Sequence, residues 1–127
     1  MDFQKFLAEF DLELILSNYF GTWRKFRDFQ SRAGRREYFT FLIINFIIHY
    51  LLKYLGNYTE IAMIYGVTKF DLLFEVFILL LSLAVTVRRL HDTGNSGWFI
   101  IVPLYNFLLM FREGDKGKNE FGEVPEN

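Results

Sequence analysis

Residues 88–98 read RRLHDTGNSGW, and apolar runs lie on both sides, at residues 70–87 and 98–111. The stretch combines two arginines, a histidine, an aspartate, two glycines and a tryptophan. A plain connection needs only turn-forming residues, so the charged and aromatic side chains indicate a role beyond linking two elements. The fold is therefore expected to be organised around this stretch.

Two apolar runs precede this stretch, at residues 38–55 and 70–87, and each has 18 residues. As helices rising 1.5 Å per residue they would each extend about 27 Å, close to the ~30 Å thickness of a hydrocarbon core. The first run has Lys53 as its only formal charge. In the second, Asp71 and Glu75 fall in the first two turns, where the helix dipole favours acids. The runs predict two transmembrane helices joined by residues 56–69.

The positions of the charged residues along the chain indicate a membrane protein more clearly than the overall composition does. The chain has 127 residues, is 52% hydrophobic and has no cysteine. The lack of cysteine excludes disulfides, thiolate metal sites and cysteine nucleophiles. Residues 38–111 hold only eight charged side chains with net charge 0, so charge concentrates at the two ends. The acidic N-terminus has no continuous apolar segment typical of a secretory signal.

Residues 22–36, TWRKFRDFQSRAGRR, place aromatic side chains at every third position among six cations. Nucleic-acid binding is the alternative for such a pattern, because aromatic rings stack on bases and cations bind phosphates. The apolar run that follows directly favours a juxtamembrane segment instead. Eight basic residues in residues 24–36 and 88–89, against Lys53 and Lys69 around the connection, predict that both basic stretches face the cytoplasm.

The N-terminal stretch, residues 3–16, has apolar side chains at helical spacing and predicts an amphipathic helix that Gly21 ends. Packing of this helix against the protein itself is favoured over docking on a membrane surface, because its acidity opposes attraction to anionic lipid.

Isolated polar residues invite chemical hypotheses. His91 and Asp92 form an acid–base pair, but a hydrogen-bonded turn is favoured over catalysis because no recognised catalytic motif accompanies them. A metal site needs three or four ligands, and the other histidine, His49, falls inside the first run, where a satisfied buried histidine or a helix–helix hydrogen bond is expected. Glu37 is expected to cap the helix over residues 38–55. No catalytic residue, metal or cofactor is predicted.

Three stretches resemble the signatures of one family: RAGRREYF at residues 32–39, RRLHDTGNSGW at 88–98 and GDKGKNEFG at 114–122. They are similar to those of the "domain of unknown function 805" family of small bacterial inner-membrane proteins, over about residues 22–125. Ser31 stands where the family usually has Gly, and Phe99 where it often has a second Trp. The resemblance implies a largely helical inner-membrane protein and supplies no activity.

We therefore expect an all-α, small polytopic membrane protein with two to three transmembrane helices and an amphipathic N-terminal helix. Its N-terminus is expected in the cytoplasm. The predicted parts are residues 1–21 (amphipathic helix), 22–37 (basic juxtamembrane segment), 38–111 (membrane domain, with spans 38–55, 70–87 and 98–111) and 112–127 (polar tail).

The leading functional hypothesis is binding of anionic lipid headgroups or a membrane partner through a basic cytoplasmic face. Adjacent helical residues point about 100° apart, so one of Arg88 and Arg89 is expected to face Glu37 while the other reaches a lipid phosphate. The predicted binding residues are Arg35, Arg36, Glu37, Arg88, Arg89, His91, Asp92 and Trp98. The tail motif adds Gly114, Gly117, Asn119, Phe121 and Gly122.

Two other classes stay open. One is a subunit for ion or proton transport, with Asp71, Glu75 and His49 as its polar groups. The other is a membrane enzyme acting on a phosphorylated lipid through His91 and Asp92. The expected partners are membrane lipids, a second copy of the chain or another membrane protein, with no nucleic acid.

The third apolar segment, residues 98–111, would extend only about 21 Å as a straight helix and contains Pro103. A short, kinked third span is favoured over a re-entrant segment, because lipid-exposed non-helical backbone is costly. This prediction places the tail on the side opposite the arginines. The re-entrant alternative brings all three signature stretches to one face.

Overall fold

The computed structural model describes residues 11–56 and 69–126, and within them the chain is helical. Four α-helices and one 3₁₀ helix form, with no β-strand in these two ranges, which confirms the all-α prediction. The elements are α1 (Leu12–Arg24), α2 (Arg35–Gly56), α3 (Lys69–Asp92), the 3₁₀ helix Gly97–Ile101 and α4 (Pro103–Phe111).

Helix α1 begins at an acidic cap and continues past its internal glycine. The Asp11 carboxylate accepts a hydrogen bond from the Leu14 backbone N–H at 3.1 Å, which satisfies one free donor of the first turn. The prediction that Gly21 ends this helix is wrong, since α1 runs to Arg24. A glycine costs only about 1 kcal/mol inside a helix, and the buried side chains of Tyr19 and Thr22 on either side offset that cost. The part of the predicted helix at residues 1–10 lies outside the described residues.

Helices α2 and α3 contain the two long apolar runs, so the helical part of that prediction is confirmed. Helix α3 also extends through Asp92, so Arg88 and Arg89 belong to its last turns and not to the following loop. Among the residues that the structure describes, no helix combines the length and mean hydropathy required to cross a membrane. The predicted connection at 56–69 lies outside the described residues except at its ends.

The core forms where α1 crosses α2 and α3. Tyr19 of α1 stacks on Phe41 of α2, with ring centroids 6.0 Å apart, and Trp23 meets Phe77 of α3 edge-on at 5.3 Å. The remaining buried apolar residues come from the linker before α2, from α2, from α3 and from α4: Ala33, Tyr38, Leu81, Ala84, Val85, Leu90, Leu109 and Met110. This packing fixes the ends of α1, α2 and α3 that carry the charged residues.

The segment after α3 turns sharply and then breaks. Gly94 has φ of +71°, a left-handed conformation that favours glycine, and the Ser96 hydroxyl caps the 3₁₀ helix by accepting from the Trp98 N–H. Pro103 is the first residue of α4, where its missing N–H is harmless. The sequence favoured a short, kinked third span over residues 98–111. The structure instead has two short helices separated at Val102, and they do not form one continuous span.

We predict that Phe41→Ala lowers the free energy of unfolding by about 3–5 kcal/mol, because the ring is fully buried against Tyr19 and leaves a cavity. Chemical denaturation in detergent micelles, followed by circular dichroism, measures the change. Phe107→Ala, which removes a largely exposed ring from α4, is the matched control and should cost about 1 kcal/mol or less. Equal losses for the two variants would contradict this description of the core.

Candidate functional site

A network of buried ion pairs lies at the end of α3 and joins all three signature stretches. Its first member is Arg32, which is buried in the extended segment before α2. The Arg32 guanidinium donates to the Asp92 carboxylate from Nε at 3.0 Å and lies 2.9 Å from it at Nη2. Its remaining N–H groups donate to the backbone carbonyls of Asp115 at 2.6 Å, Gly117 at 2.7 Å and Gly122 at 3.3 Å. One side chain thus connects all three stretches.

Asp92 is the acceptor that the network shares. Its second oxygen accepts a hydrogen bond from Nη1 of Arg89, which lies one turn earlier on α3. One carboxylate therefore binds two guanidinium groups. The Asp92 carbonyl accepts from the Asp115 N–H at 2.7 Å. A Cβ atom at Gly114 would overlap the Asp92 carboxylate, so only glycine fits at that point of the tail. Asp92 therefore holds the tail by its side chain, its backbone and its close approach to Gly114.

Arg89 is directed into the protein by carbonyl groups at the end of α4. Its Nε and Nη2 donate to the Met110 carbonyl, each at 3.4 Å, and Nη2 also donates to the Arg112 carbonyl. These are carbonyls that a helix C-terminus leaves without intrahelical partners. Burial lowers the pKa of Arg89, and the adjacent Asp92 charge opposes that shift. Arg89 therefore ties α3 to the end of α4.

Arg88 points to the other side, toward α1 and α2. Its Nη1 donates to the Glu37 carboxylate at 2.7 Å, and the Thr22 hydroxyl donates to the same oxygen at 3.1 Å. The Arg88 carbonyl accepts from the Ala33 N–H at 2.9 Å. Nε and Nη2 of Arg88 are buried and have no hydrogen-bond partner among the described residues. Glu37 therefore pairs with a cation of α3, a stronger role than the capping predicted for it.

Arg88 and Arg89 do have different partners, as predicted, but neither reaches lipid in the predicted way. Arg88 faces Glu37, as one of the pair was expected to do. The prediction that the other contacts a lipid phosphate is wrong, because Arg88 and Arg89 are both 0% exposed. The two side chains point in different directions because they are adjacent on a helix. Both are nevertheless covered, by the loop before α2 and by the end of α4.

The loop before α2 is shaped by Asp28. Its carboxylate accepts from the backbone N–H groups of Gln30 and Ser31, each at 3.0 Å, and from the Ser31 hydroxyl. Burial alone would raise the pKa of Asp28, but these hydrogen bonds and the charge of Arg88 lower it. The resulting turn brings the Ser31 carbonyl to 3.3 Å from Nδ1 of His91.

His91 is a packed residue of the network. Its ring stacks on Phe121 of the tail with centroids 3.9 Å apart and an interplanar angle of 2°. Its carbonyl accepts from the Asn119 amide at 2.9 Å, and the same amide group donates to Asp115 at 2.9 Å. The side chains of Asn119 and Phe121 thus hold the tail motif against the end of α3.

These contacts overturn the prediction that the tail lies opposite the arginines. Gly114, Gly117, Asn119, Phe121 and Gly122 all lie beside Arg32, His91 or Asp92. The physical reason is that the chain breaks at residues 102–103, so the segment 97–111 returns to the end of α3 without crossing the fold. The structure instead shows the arrangement that the re-entrant alternative predicted, with all three signature stretches at one face.

A polar cavity of about 470 Å³ opens between the start of α2 and the tail. Its lining residues are Arg35, Arg36, Asp92, Glu113, Gly114, Asp115, Lys116, Val124 and Pro125. The acids are already engaged: Asp92 by two arginines, Glu113 by Arg35 at 3.5 Å and Asp115 by Asn119. Arg36 and Lys116, by contrast, have no ion-pair partner in the described ranges.

The other predicted residues lie elsewhere. Trp98 is 80% exposed, and its backbone N–H donates to the Ser96 hydroxyl at 3.4 Å. The first alternative for His49, a buried histidine, is wrong, because its side chain is half exposed; the ring lies instead between two helices, with Nδ1 3.8 Å from Oε1 of Glu75 on α3. The Asp71 side chain lies outside the described part of the chain. No group of three or more metal-ligating side chains occurs within residues 11–56 and 69–126.

Arg32, Thr22 and Asp115 are the network residues that the sequence prediction missed. Arg32 opens the first signature stretch, so its motif position was an available signal for its role. Thr22 precedes any signature stretch, and its contact with Glu37 depends on α1 continuing past Gly21. Asp115 contributes through its backbone as well as its side chain, which a motif does not reveal.

The described residues thus form a small helical protein whose polar core is shared by three separate stretches of sequence. The chain belongs to the family described as "Protein of unknown function (DUF805)", whose model matches residues 26–123. This confirms the family indicated by the three signature stretches.

Two relatives from Escherichia coli (strain K12) agree with this membership. Inner membrane protein YhaH is 30% identical over 118 residues, covering 87% of this chain and 92% of the relative. Inner membrane protein YhaI is 31% identical over 118 residues, covering 87% of this chain and 91% of the relative. No solved structure matches the chain with significance.

We predict that Arg32→Lys destabilises the protein by about 3 kcal/mol, because an ammonium group cannot reproduce the planar fork that binds Asp92 and three carbonyls. The tail should also become more sensitive to proteases. Thermal unfolding and limited proteolysis measure the two effects.

Arg35→Lys is the control, since it makes the same exchange at a half-exposed arginine of the same stretch. It should change stability by less than about 0.5 kcal/mol. If the two variants behave alike, Arg32 is not the link between the stretches.

Proposed function

We propose that this protein is an integral inner-membrane protein whose α2 and α3 cross the bilayer and whose polar cavity binds the phosphate of an anionic lipid headgroup. The observation that carries the proposal is that two cations beside the cavity, Arg36 and Lys116, have no ion-pair partner among the described residues, whereas the acids of the cavity already have partners. Most of the residues that line the cavity belong to the first and third signature stretches, and Asp92 of the second lines it too.

The membrane part of the proposal is supported by apolar surface. Large apolar side chains on α2 and α3 are more than half exposed: Ile43, Phe46, Ile47, Leu72, Leu73, Leu79 and Leu80. An exposed apolar surface of this kind is typical of contact with lipid or protein. Both E. coli relatives carry the name of inner membrane proteins.

The headgroup part is supported by electrostatics. Guanidinium and ammonium groups bind phosphate through charge-assisted hydrogen bonds, and cations near an anionic membrane surface each contribute about 1 kcal/mol. Arg35 is half exposed at the mouth of the cavity and forms a solvent-exposed ion pair with Glu113. Such a pair contributes little stability, so a phosphate can replace Glu113 as the partner of Arg35. Arg88 and Arg89 then act from inside, by holding Glu37 and Asp92 in place.

The orientation follows from the positions of the cations. Basic residues between 24 and 36 lie before α2 or in its first turn, and the positive-inside rule assigns them to the cytoplasmic side. If α2 and α3 both cross, the end of α3 returns to that side. The tail contacts the end of α3, so the cavity, the N-terminus and the tail all face the cytoplasm in this proposal.

Transport is the second candidate, favoured by one contact. His49 and Glu75, two of its three predicted groups, come within 3.8 Å of each other between α2 and α3. Proton uptake by vesicles that contain the purified protein, compared with the Glu75→Gln variant, distinguishes this class. An enzyme using His91 and Asp92 receives less support, because the His91 ring stacks on Phe121 and the Asp92 carboxylate binds two guanidinium groups.

We predict that Arg36→Ala/Lys116→Ala weakens binding of phosphatidylglycerol roughly tenfold or more, since two cations of about 1 kcal/mol each are lost. Native mass spectrometry of the protein in detergent, titrated with phosphatidylglycerol and with phosphatidylcholine, measures the affinity. Phosphatidylcholine binding should not change.

The charge-matched control is Arg24→Ala/Lys118→Ala, which removes two exposed cations that do not line the cavity. It should retain most of the phosphatidylglycerol binding. Equal weakening by both double variants would show that net charge, and not the cavity, governs binding, and would contradict the proposal.

A further inference from the structure

The groove between α2 and α3 has polar groups at a depth where lipid cannot satisfy them. His49 and Glu75 lie within about 4–5 Å of the middle of their apolar runs, at 1.5 Å per residue. Their side chains are 46% and 55% exposed. In a bilayer, ionisable residues at such depth face protein or water, because exposure to hydrocarbon is costly. Some other group must therefore cover this pair if the helices cross the membrane.

We propose that a second copy of the chain covers the groove, with His49 of each copy facing Glu75 of the other. The inference rests on the proposed bilayer crossing of α2 and α3. It does not depend on headgroup binding at the polar cavity, which lies at the ends of these helices.

The groove has the shape and chemistry of a helix–helix interface in lipid. It is an open groove of about 370 Å³, and its lining includes Asn45, Phe46 and Ser82 besides the His49–Glu75 pair. Small and hydrogen-bonding residues such as Ser, Asn and His are enriched where transmembrane helices meet. Phe46 is 64% exposed at the edge of the groove, so it is placed to pack against a neighbouring helix.

Charge complementarity selects a second copy as the occupant. Each copy offers one histidine and one glutamate on the same face, 3.8 Å apart. In a two-fold symmetric interface, residue i of one copy contacts residue j of the other, and j contacts i. Two copies related in this way make two reciprocal His49–Glu75 pairs. A lipid chain or an unrelated apolar helix in the groove satisfies neither side chain.

Self-association in vesicles tests the interface. The chain has no cysteine, so a single Glu126→Cys change in the exposed tail gives each copy one fluorescent label. Energy transfer between donor- and acceptor-labelled copies should rise with protein-to-lipid ratio. His49→Ala and Glu75→Gln should each weaken association roughly tenfold, because each variant removes a partner from both reciprocal pairs. Leu80→Ala, at an exposed site of α3 outside the groove, should leave association unchanged.

Mixing the two variants gives the distinguishing result. A donor-labelled His49→Ala copy and an acceptor-labelled Glu75→Gln copy together keep one intact intermolecular pair. Their mixed association should therefore exceed that of either variant with itself by several fold. A His49–Glu75 contact made only within one copy predicts no such recovery, and that outcome would overturn the proposal.

Two further outcomes also decide it. If the unmodified chain gives no transfer above that of randomly distributed labels, lipid or a different membrane protein fills the groove, and the proposal is wrong. If the chain does not insert into vesicles, both the interface and the bilayer crossing are overturned. Absence of transfer from the unmodified chain with phosphatidylglycerol binding intact rejects the interface alone, because the polar cavity shares no lining residue with the groove.

Discussion

The carboxylate of Asp92, shared by Arg32 and Arg89, is the interaction on which the rest of the structure depends. The three charged residues of this interaction belong to the first and second signature stretches. The carbonyls that accept the other hydrogen bonds of the two arginines come from the end of α4 and from the tail. Removing one partner of such a buried set leaves an uncompensated charge, at a cost of about 3–5 kcal/mol. The network therefore fixes where α2 begins, where α3 ends and where the tail returns.

This constraint separates the cations into two groups with different tasks. Arg32, Arg88 and Arg89 point inward and act as structural ties, because all three are buried. Arg35, Arg36 and Lys116 stay at the surface, around a cavity that the tail completes. The first signature stretch thus contains one inward arginine, Arg32, and two outward ones, Arg35 and Arg36, and the proposed ligand contacts belong to the outward group.

The helices were largely predictable from the sequence, and the site was predictable only in part. Long apolar runs locate α2 and α3, and Pro103 marks the break before α4, because these signals are local. Whether α1 stops at Gly21 depends on packing of Tyr19 and Thr22 against α2, which no local signal contains. The inward direction of Arg89 depends on carbonyls supplied 21 or more residues later in the chain. The tail was misplaced for the same reason, since length and hydropathy describe a segment but not its partners.

The most direct test of the central claim is a distance between the first and third signature stretches in a bilayer. Spin labels at cysteines introduced for Gln30 and Lys118, both exposed, give this distance by double electron–electron resonance in the otherwise cysteine-free chain. Because Arg32 donates to the Gly117 carbonyl at 2.7 Å, the network predicts a narrow distribution well below the ~30 Å of a hydrocarbon core. A distribution at ~30 Å or beyond would place the tail across the membrane from Arg32 and contradict the account.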